Sequence, residues 1–420
     1  MLLTLNIEKA AAGGRMLARH QGQVVLVSGA IPGERVAARL ERTGKGVVFA
    51  EVVEVLSPSP DRRPVTGDPR CGGNVFAHIA YARQLELKGE IIQDGFGRIG
   101  RLPIATAPEI LGSPERGYRM RARLHVRNGR IGFYLEGTHH LCEAEATGQL
   151  LPATVEWIAA AQQMLLRTPL GGVGAIELAE NVAGDERACH LELASGVDST
   201  PFAALADGLV GLSAQRSDRP DIVRLAGIPF VTDAIRVGEG PPGILRLRRD
   251  VRAFFQGNRF LLEPLARRVA SLVPAGPVVD LYAGVGLFGL TLAAAGNAPV
   301  TVVEGDPVGR ADLEHNAEPF GARVTVVRGS VEAFVTSATR LDVAGATVIV
   351  DPPRTGLSKE AIGGIIHAGP PRIVYVSCDV ATLARDTRAL IDAGYSLDGL
   401  SGIDLFPNTA HVETIAAFTR

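Results

Sequence analysis

The strongest constraint on the fold lies from about residue 260 onward, where short apolar runs alternate with helical stretches. The runs are PVVDLY, PVTVVEG, RVTVVRG, ATVIVDPP and RIVYVSC. Apolar runs of this length, separated by helices, are typical of a parallel sheet that is covered by helices on both faces. The sequence therefore predicts a doubly wound, Rossmann-like α/β domain over residues 251–420.

The N-terminal part differs in both pattern and charge. Residues 1–56 contain alternating segments such as LTLNIEK and VVLVSG between glycine-rich turns, which predict a small β-barrel of the oligonucleotide-binding type. Residues 1–135 carry 20 Lys and Arg against 12 Asp and Glu, although the whole chain has a net charge of −2. The basic N-terminal third favours a module that binds a polyanion. An ordinary solvated surface with unevenly distributed charge explains the imbalance equally well.

Residues 57–250 have a less regular pattern and predict a central α+β domain that begins with a Pro-rich linker. Helices are predicted over 80–100 and 153–166. The segment RGYRMRARLHVRNGRIGFYLEG alternates basic with apolar residues around Asn128-Gly129, which predicts a hairpin with a cationic face. An alternative prediction is that residues 80–110 pack on the C-terminal domain.

The composition, with 46% hydrophobic and 21% charged residues, is that of a globular protein. No stretch approaches the roughly 20 apolar residues of a membrane helix, and MLLTLNIEKA lacks the features of a signal peptide. The four cysteines, Cys71, Cys142, Cys189 and Cys378, form no Cys-x-x-Cys pair. We therefore expect no disulfide framework, a reducing cytoplasmic location, no membrane association and, by default, a monomer.

A glycine-rich turn between a predicted strand and helix is the first candidate ligand site. In VVDLYAGVGLFGLTLA (278–293), Gly284, Gly286 and Gly289 fit G-x-G-x-x-G. Glu304 follows Gly284 by 20 residues, at the end of the next apolar run, where a carboxylate can accept hydrogen bonds from ribose hydroxyls. Asp280 favours S-adenosylmethionine over a pyrophosphate, but the motif alone also fits a nicotinamide cofactor or a structural turn.

Three further residues follow or lie within predicted strands. Asp351 of DPPRTG follows ATVIV, at the strand end where ligands bind in open α/β sheets. Cys378 precedes a helix that starts near Val380, whose N-terminus is expected to lower the pKa of the thiol. Burial of Glu413 would raise its pKa and make it a usable base. Taken alone, these residues also fit a Pro-rich turn, a core cysteine and a surface glutamate on an edge strand.

Together these motifs resemble the RNA (uracil-5-)-methyltransferase family. The family pattern D-P-P-R-x-G, followed by hydrophobic-x-Y-x-S-C, stands here as DPPRTG (351–356) and VYVSCDVAT (374–382). The pattern D-x-F-P-x-T-x-H-x-E stands as DLFPNTAHVE (404–413), and F-F-Q-x-N stands as FFQGN (254–258). The N-terminal strands also resemble the TRAM barrel that many members contain.

The resemblance implies an enzyme that uses S-adenosylmethionine to methylate carbon 5 of a uridine in tRNA or large-subunit rRNA. It implies RNA binding by residues 1–56, with Cys378 as nucleophile and Glu413 as general base. The positions implied to contact S-adenosylmethionine or the base, with the two loop glycines, are Gln256, Tyr282, Gly284, Gly286, Leu287, Glu304, Ser330 and Asp351. Leu287 stands where some members have Asn, so it would contact the cofactor by packing only.

Three departures from the family pattern qualify this prediction. Many relatives hold a four-iron, four-sulfur cluster with four cysteines, but here C-G-G-C is replaced by CGGN with Asn74, and no cysteine stands near residue 147. A single remaining ligand cannot hold such a cluster, so we expect none. Asp379 replaces the usual Asn beside the nucleophile, where it could perturb the thiol pKa. Asn408 replaces a commoner Gln, His or Tyr, which puts base contacts there in question.

Two other functions stay open at this point. A nicotinamide-dependent oxidoreductase would explain GVGLFG but not DPPRTG or Cys378. A non-catalytic RNA-binding or RNA-folding protein with a vestigial domain would explain the missing cluster ligands and Asp379. The presence of both Cys378 and Glu413 argues against that second alternative.

Overall fold

The computed structural model describes residues 1–65, 68–167, 171–237, 243–337 and 345–420. These residues form a closed barrel, a seven-stranded sheet, a two-stranded hairpin and an eight-stranded sheet. The predicted fold class is confirmed: a small N-terminal barrel and a central α+β part precede a doubly wound α/β domain. None of the helices in the described ranges is long and apolar enough to cross a membrane.

The N-terminal strands close into a barrel in the order β1-β2-β3-β5-β4. Their bounds are β1 Leu2–Ala10, β2 Met16–His20, β3 Gln23–Ser28, β4 Arg35–Gly44 and β5 Val47–Ser57. Alternate residues of each strand point into the barrel, so Leu3, Leu5 and Ile7 of β1 are buried while the residues between them are exposed. Buried Glu34 accepts hydrogen bonds from Arg62 at 2.6 Å, which fixes the barrel to the segment that follows it.

The next helix packs on the C-terminal sheet. Helix α1, Tyr81–Arg98, lies against α8, Val380–Asp392, of the C-terminal domain. Gly95 allows this close approach, because a Cβ there would lie 2.6 Å from a Val380 methyl group. The short strand β6, Ile110–Leu111, pairs in parallel with β21, Ser396–Ile403, of the C-terminal sheet. Residues 81–111 therefore pack against the C-terminal domain.

The central sheet has the strand order β13-β12-β11-β10-β7-β8-β9. Its strands are β7 Arg121–Arg127, β8 Arg130–Tyr134, β9 Leu141–Cys142, β10 Val173–Glu180, β11 Arg187–Leu193, β12 Gly211–Arg216 and β13 Ile222–Gly227. Helix α2, Pro152–Arg167, buries Trp157 and Ile158 against one face. The predicted hairpin is confirmed, since Arg127 pairs with Arg130 and both turn residues have positive φ, as a two-residue Asn-Gly turn requires.

A hairpin connects the central sheet to the C-terminal domain. It consists of β14 Phe230–Arg236 and β15 Ile244–Asp250. Arg249 and Asp233 form a fully buried ion pair at 2.7 Å across the two strands. Val231 and Val251 pack against alanines of β10 and β11, so the hairpin covers one end of the second face of the central sheet.

The C-terminal sheet has the order β18-β17-β16-β19-β20-β22-β21-β6, and β16 to β20 are parallel. Its own strands are β16 Val278–Leu281, β17 Val300–Glu304, β18 Val324–Arg328, β19 Thr347–Val350, β20 Arg372–Ser377, β21 Ser396–Ile403 and β22 Glu413–Thr419. The helices are α3 Leu262–Ser271, α4 Leu287–Ala294, α5 Pro307–Ala317, α6 Val331–Thr336, α7 Lys359–Ala368 and α8 Val380–Asp392. Strands β16 and β19 are buried at every residue, which explains their continuous apolar runs.

A disulfide bond joins Cys71 to Cys142, with 6.0 Å between their Cα atoms. The expectation that these cysteines stay unpaired is wrong for this pair. They are 71 residues apart in sequence, and they meet because the segment at Cys71 pairs with Leu135 while β9 returns beside β8. Cys189 and Cys378 are free thiols, the first of them buried.

Candidate active site

The carboxyl ends of the parallel strands bring the predicted site residues to one edge of the C-terminal sheet. Strand β17 ends at Glu304, β19 is followed by Asp351, and β20 is followed by Cys378. The parallel register aligns these ends, since Leu281 of β16 pairs with both Val303 and Val350. Ligands of open α/β sheets bind at this edge.

Glu413 reaches the same edge from the opposite direction. Strand β22 lies between β20 and β21 and runs antiparallel to β20, so its first residue stands where β20 ends. Ser377 pairs with Thr414, and the antiparallel register therefore places Cys378 opposite Glu413. Side chains that are directly opposite in such a pair have Cβ atoms about 4.5–5.5 Å apart. Glu413 is only 3% exposed, so the interpretation as a surface residue of an edge strand is wrong.

Burial and mutual repulsion set the ionisation of this group of residues. Removal from water raises the pKa of the Cys378 thiol to about 11, and the negative charges of Glu413 and Asp351 oppose the thiolate further. Burial, with the charge of Asp351 second, raises the pKa of Glu413 well above its ordinary value. The expected lowering of the thiol pKa is therefore wrong, because burial and the two carboxylates raise it.

Arg354 is a site residue that the sequence interpretation missed as a functional group. The charge of its guanidinium lowers the pKa of both Cys378 and Glu413. The side chain is exposed, and its backbone carbonyl accepts a hydrogen bond from the Thr382 hydroxyl at 3.3 Å. The signal was its place in DPPRTG, directly after the strand that also positions Asp351.

The glycine-rich turn lies beside this group and is closed by Glu304. The Glu304 carboxylate accepts hydrogen bonds from the backbone N–H groups of Gly284 and Asp306, at 2.7 and 2.6 Å. Gly286 has a φ of 103° at the start of α4, a conformation that favours glycine. A Cβ built on Gly284 would meet nothing within 4 Å, so the turn is open to a ligand at that position.

Asp280 has a different role from the one suggested by its position before the glycines. It is fully buried, and one carboxylate oxygen accepts a hydrogen bond from the Gly289 N–H at 2.7 Å, which fixes α4 to β16. Burial raises its pKa to about 8. A Cβ on Gly289 would lie 2.5 Å from a Val302 methyl group, so glycine is needed for this close packing. Asp280 thus supports the turn from beneath and does not line it.

The remaining candidate site residues differ in how they lie relative to the carboxyl edge of the sheet. Gln256 donates a hydrogen bond to Asp351 at 3.2 Å, and burial raises the pKa of Asp351 to about 7. Tyr282 follows β16 with a φ of 64°. Ser330 caps α6, since its hydroxyl accepts from the Ala333 N–H at 3.2 Å. Leu287 is buried in the core, so the structure does not bring it to the open side of the turn.

Both substituted positions have structural partners. Asp379 caps α8, because its carboxylate accepts a hydrogen bond from the Thr382 N–H at 2.8 Å. Asn408 is buried, and its amide oxygen accepts hydrogen bonds from Gln84 at 2.9 Å and Arg63 at 2.8 Å. Asn408 therefore holds its loop to α1 and the preceding segment.

Comparison with known proteins places this edge in a defined family. A family model described as tRNA (Uracil-5-)-methyltransferase matches residues 270–420, and a TRAM domain model matches residues 3–53. A 23S rRNA (uracil(1939)-C(5))-methyltransferase of Chromohalobacter salexigens is 32% identical over 99% of this chain and 89% of the relative. An uncharacterised RNA methyltransferase of Thermosynechococcus vestitus is also 32% identical, over 99% of this chain and 98% of the relative.

The chain belongs to the RNA (uracil-5-)-methyltransferase family. The resemblance inferred from the sequence motifs is thereby confirmed. The crystal structure of the Pyrococcus abyssi tRNA (uracil-54, C5)-methyltransferase in complex with S-adenosyl-L-homocysteine superposes with a TM-score of 0.77, at 24% identity over 99% of both chains. At that level of identity the superposition shows that the two proteins share a fold.

The residues of this RNA (uracil-5-)-methyltransferase do not fit an iron–sulfur cluster. Cys142 lies beside Cys71, and no cysteine stands in the EATGQ segment around residue 147. These two cysteines are bonded to each other, and Asn74 donates its amide to the Asp68 carbonyl at 3.3 Å. In the parts of the chain that the structure describes, no group of three or more His, Cys, Asp or Glu could hold a metal ion. A four-thiolate site cannot be assembled from this donor set.

Proposed function

We propose that this RNA methyltransferase transfers a methyl group from S-adenosylmethionine to carbon 5 of a uridine in RNA, with Cys378 as nucleophile and Glu413 as general base. The observation that carries the proposal is the register of β20 and β22, which sets a partly buried free thiol opposite a buried carboxylate. Both residues lie at the ligand-binding edge of the sheet.

The chemistry of uracil explains why both groups are needed. Carbon 5 is too weak a nucleophile to be alkylated directly. Addition of the Cys378 thiolate to carbon 6 forms a carbon–sulfur bond and moves the electron pair of the 5,6 double bond into an enolate. Carbon 5 of that enolate is then nucleophilic. Arg354 supports this step, because its charge stabilises the thiolate that must attack.

The turn around Gly284 and the carboxylate of Glu304 fit S-adenosylmethionine. Each Glu304 oxygen accepts one backbone hydrogen bond and keeps a second lone pair for a ribose hydroxyl. The open space at Gly284 admits a ligand against the backbone. S-adenosylmethionine supplies, when bound, an electrophilic methyl group to carbon 5.

Glu413 completes the reaction. After methylation, carbon 5 still carries its proton, and the ionised carboxylate removes it. The electron pair of that carbon–hydrogen bond re-forms the 5,6 double bond, and the carbon–sulfur bond breaks to return the Cys378 thiolate. Burial favours the protonated carboxyl group, so Glu413 holds the proton well once it has accepted it. Arg354 again stabilises the departing thiolate.

The RNA must present the uridine in an unstacked form, because the thiol and the carboxylate act on the edge of the ring. The N-terminal TRAM barrel supports RNA binding. Relatives named for 23S rRNA and for tRNA both resemble this chain, so RNA of either class is a candidate substrate.

The decisive experiment combines methylation with trapping of the covalent adduct. The purified protein is incubated with labelled S-adenosylmethionine and total RNA from a strain that lacks it, and 5-methyluridine is measured in the digested RNA. We expect wild-type protein to form it and Cys378→Ala to form none. Glu413→Gln should accumulate a protein–RNA adduct that survives denaturing electrophoresis, because elimination is blocked.

Cys189→Ala is the matched control, since it removes the other free thiol, which is buried in the central core. It should leave methylation close to the wild-type level. Absence of 5-methyluridine from every RNA would contradict the proposed reaction. An adduct in Cys378→Ala would assign the nucleophile to another residue.

A further inference from the structure

One face of β7 carries a line of cationic side chains that starts beside the candidate active site. Successive residues of a strand point to opposite faces, so residues two apart share a face. Ala122, Leu124 and Val126 point into the central core. The opposite face of β7 carries Arg121, Arg123, His125 and Arg127, and Arg119 precedes the strand by two residues; these five residues are named here the β7 stripe. It extends over about 26 Å at the usual rise of a strand.

The first end of the stripe touches the loop that leads into Glu413. Arg119 donates hydrogen bonds to the Gln149 side chain at 2.7 Å and to the Arg121 carbonyl at 2.9 Å. Its guanidinium lies 5.2 Å from the ring centre of Phe133 and 5.9 Å from that of Phe406, which belongs to the loop before β22. In the described ranges no carboxylate lies within ion-pair distance of Arg119, so no ion pair compensates its charge.

The arginines in the middle of the β7 stripe form ion pairs with glutamates. Glu177 of β10 pairs with Arg121 at 3.4 Å and with Arg123 at 3.2 Å. Glu192 of β11 forms a further ion pair with Arg123. These residues contribute a polar surface but little net charge, so the two ends of the stripe hold its uncompensated cations.

The far end combines cations with a ready-made aromatic stack. The rings of His125 and Tyr134 are parallel within 8°, with 3.7 Å between their centres, and His139 lies edge-on to Tyr134. Arg127 lies 5.8 Å from the centre of the Tyr134 ring. Arg130 is paired with Arg127 across the hairpin, so both exposed arginines lie on this face.

We propose that the β7 stripe is the path of a single-stranded RNA segment that leads into the active site. Phosphates would contact Arg119 at one end and Arg127 and Arg130 at the other. A nucleobase would extend the stack of His125 and Tyr134. A duplex keeps its bases stacked on each other, whereas an unpaired base is free to stack on an aromatic side chain. The inference rests on the proposed function, because the path ends at the loop that positions Glu413.

The test measures binding of a fluorescein-labelled oligouridylate about 12 nucleotides long, by fluorescence anisotropy, to the full chain. Tyr134→Ala should weaken binding about tenfold because it removes the stacking surface, and Tyr134→Phe should retain it. Arg127→Gln combined with Arg130→Gln should reduce the slope of log affinity against log salt by about one to two. Wild-type protein should bind the single strand more tightly than an RNA duplex of equal length.

Arg224→Gln is the matched control, since Arg224 is an exposed arginine on β13, at the opposite edge of the same sheet. It should leave both affinity and salt slope unchanged. Unchanged binding in Tyr134→Ala and in the double arginine variant would overturn the inference. Tighter binding of the duplex, or an equal loss in Arg224→Gln, would also overturn it.

A methylation assay on total RNA distinguishes failure of this inference from failure of the proposed function. If wild-type protein forms no 5-methyluridine while oligouridylate binding still depends on Tyr134, the reaction is wrong and the RNA path stands. If wild-type protein methylates RNA and the Tyr134→Ala variant keeps the wild-type KM for that RNA, the path is wrong and the reaction stands. We expect a raised KM with little change in kcat, because the stripe binds RNA at a distance from the reacting atoms.

Discussion

The ionisation of Cys378 gives two predictions of opposite sign. The charge of Arg354 lowers the pKa of the thiol, whereas Glu413 raises it by charge repulsion. Arg354→Gln should therefore raise the pKa of Cys378, and Glu413→Gln should lower it. Arg354→Lys keeps the charge and should stay closer to wild type. Because burial is the largest cause of the raised pKa, neither variant should restore the ordinary value of a free thiol.

The structure sets the size of these shifts. Two unit charges about 5 Å apart interact by about 3 kcal/mol at an effective dielectric constant of about 20, which corresponds to about two pKa units. For Glu413, which is buried opposite Cys378, this figure is an upper limit, because burial accounts for the larger part of the raised thiol pKa. Arg354 is exposed, so solvent screening reduces its effect to about one unit. One unit lowers the thiolate fraction tenfold, but the more basic thiolate is about threefold more reactive, so alkylation should slow about threefold.

The assay is the rate of alkylation by iodoacetamide as a function of pH, followed by mass spectrometry of the peptide that contains Cys378. Cys189 is buried and Cys71 and Cys142 are bonded to each other, so Cys378 is the thiol expected to react in the native protein. The wild-type rate should still rise at pH 10, because the pKa is about 11. In Glu413→Gln the rise should begin at lower pH, so the rate at pH 10 should be closer to its plateau. Shifts of the same sign in Arg354→Gln and Glu413→Gln would refute the assignment of opposing charges.

Two predictions concern stability. Burial raises the folded-state pKa of Asp280 to about 8, so its ionisation opposes folding: stability should fall as pH rises from about 4 to about 8. Asp280→Asn should lessen the drop in Tm between pH 5 and pH 9, and an unchanged drop would contradict this. Lys88 and Asp404 form a fully buried ion pair at 2.5 Å, so Lys88→Met should cost about 3–5 kcal/mol in urea unfolding by leaving a buried carboxylate unpaired. Adding Asp404→Asn should recover part of that loss, and a further loss in the double variant would refute this explanation.

Sequence reasoning succeeds at the sheet edge because parallel strands impose their own alignment. Each apolar run from β16 to β20 is short and continuous, and such strands must lie side by side with their carboxyl ends together. The order of the runs alone therefore predicts that the residues directly after them, such as Asp351 and Cys378, are neighbours. Glu413 is harder, because its place depends on β22 inserting antiparallel between β20 and β21. No local pattern distinguishes that insertion from an edge strand.

The predictions that fail depend on contacts between distant segments or on the balance of opposing charges. Cys71 and Cys142 meet only because β9 returns beside β8 next to the segment at Cys71. The pKa of Cys378 is decided by burial and two carboxylates, none of which shows in the residues beside it. Asp280 stands before a cofactor-type turn in sequence, yet its side chain points beneath that turn to the Gly289 N–H. In each case, the residue type and its local element are evident from the sequence, while its partner comes from a remote part of the chain.

The DLFPNTAHVE segment shows how remote partners shape the site. Its first residue, Asp404, is held by Lys88 and by the Tyr81 hydroxyl of α1, and Asn408 is held by Gln84 of the same helix. Asn408 also accepts a hydrogen bond from Arg63, in the segment that follows the barrel. Because the segment is anchored at two points to α1, its end is fixed where β22 begins, and Glu413 faces Cys378. The placement of the proposed base therefore depends on residues 63–88 as much as on the sheet, so a change in α1 far from Cys378 should slow proton removal before it affects thiol reactivity.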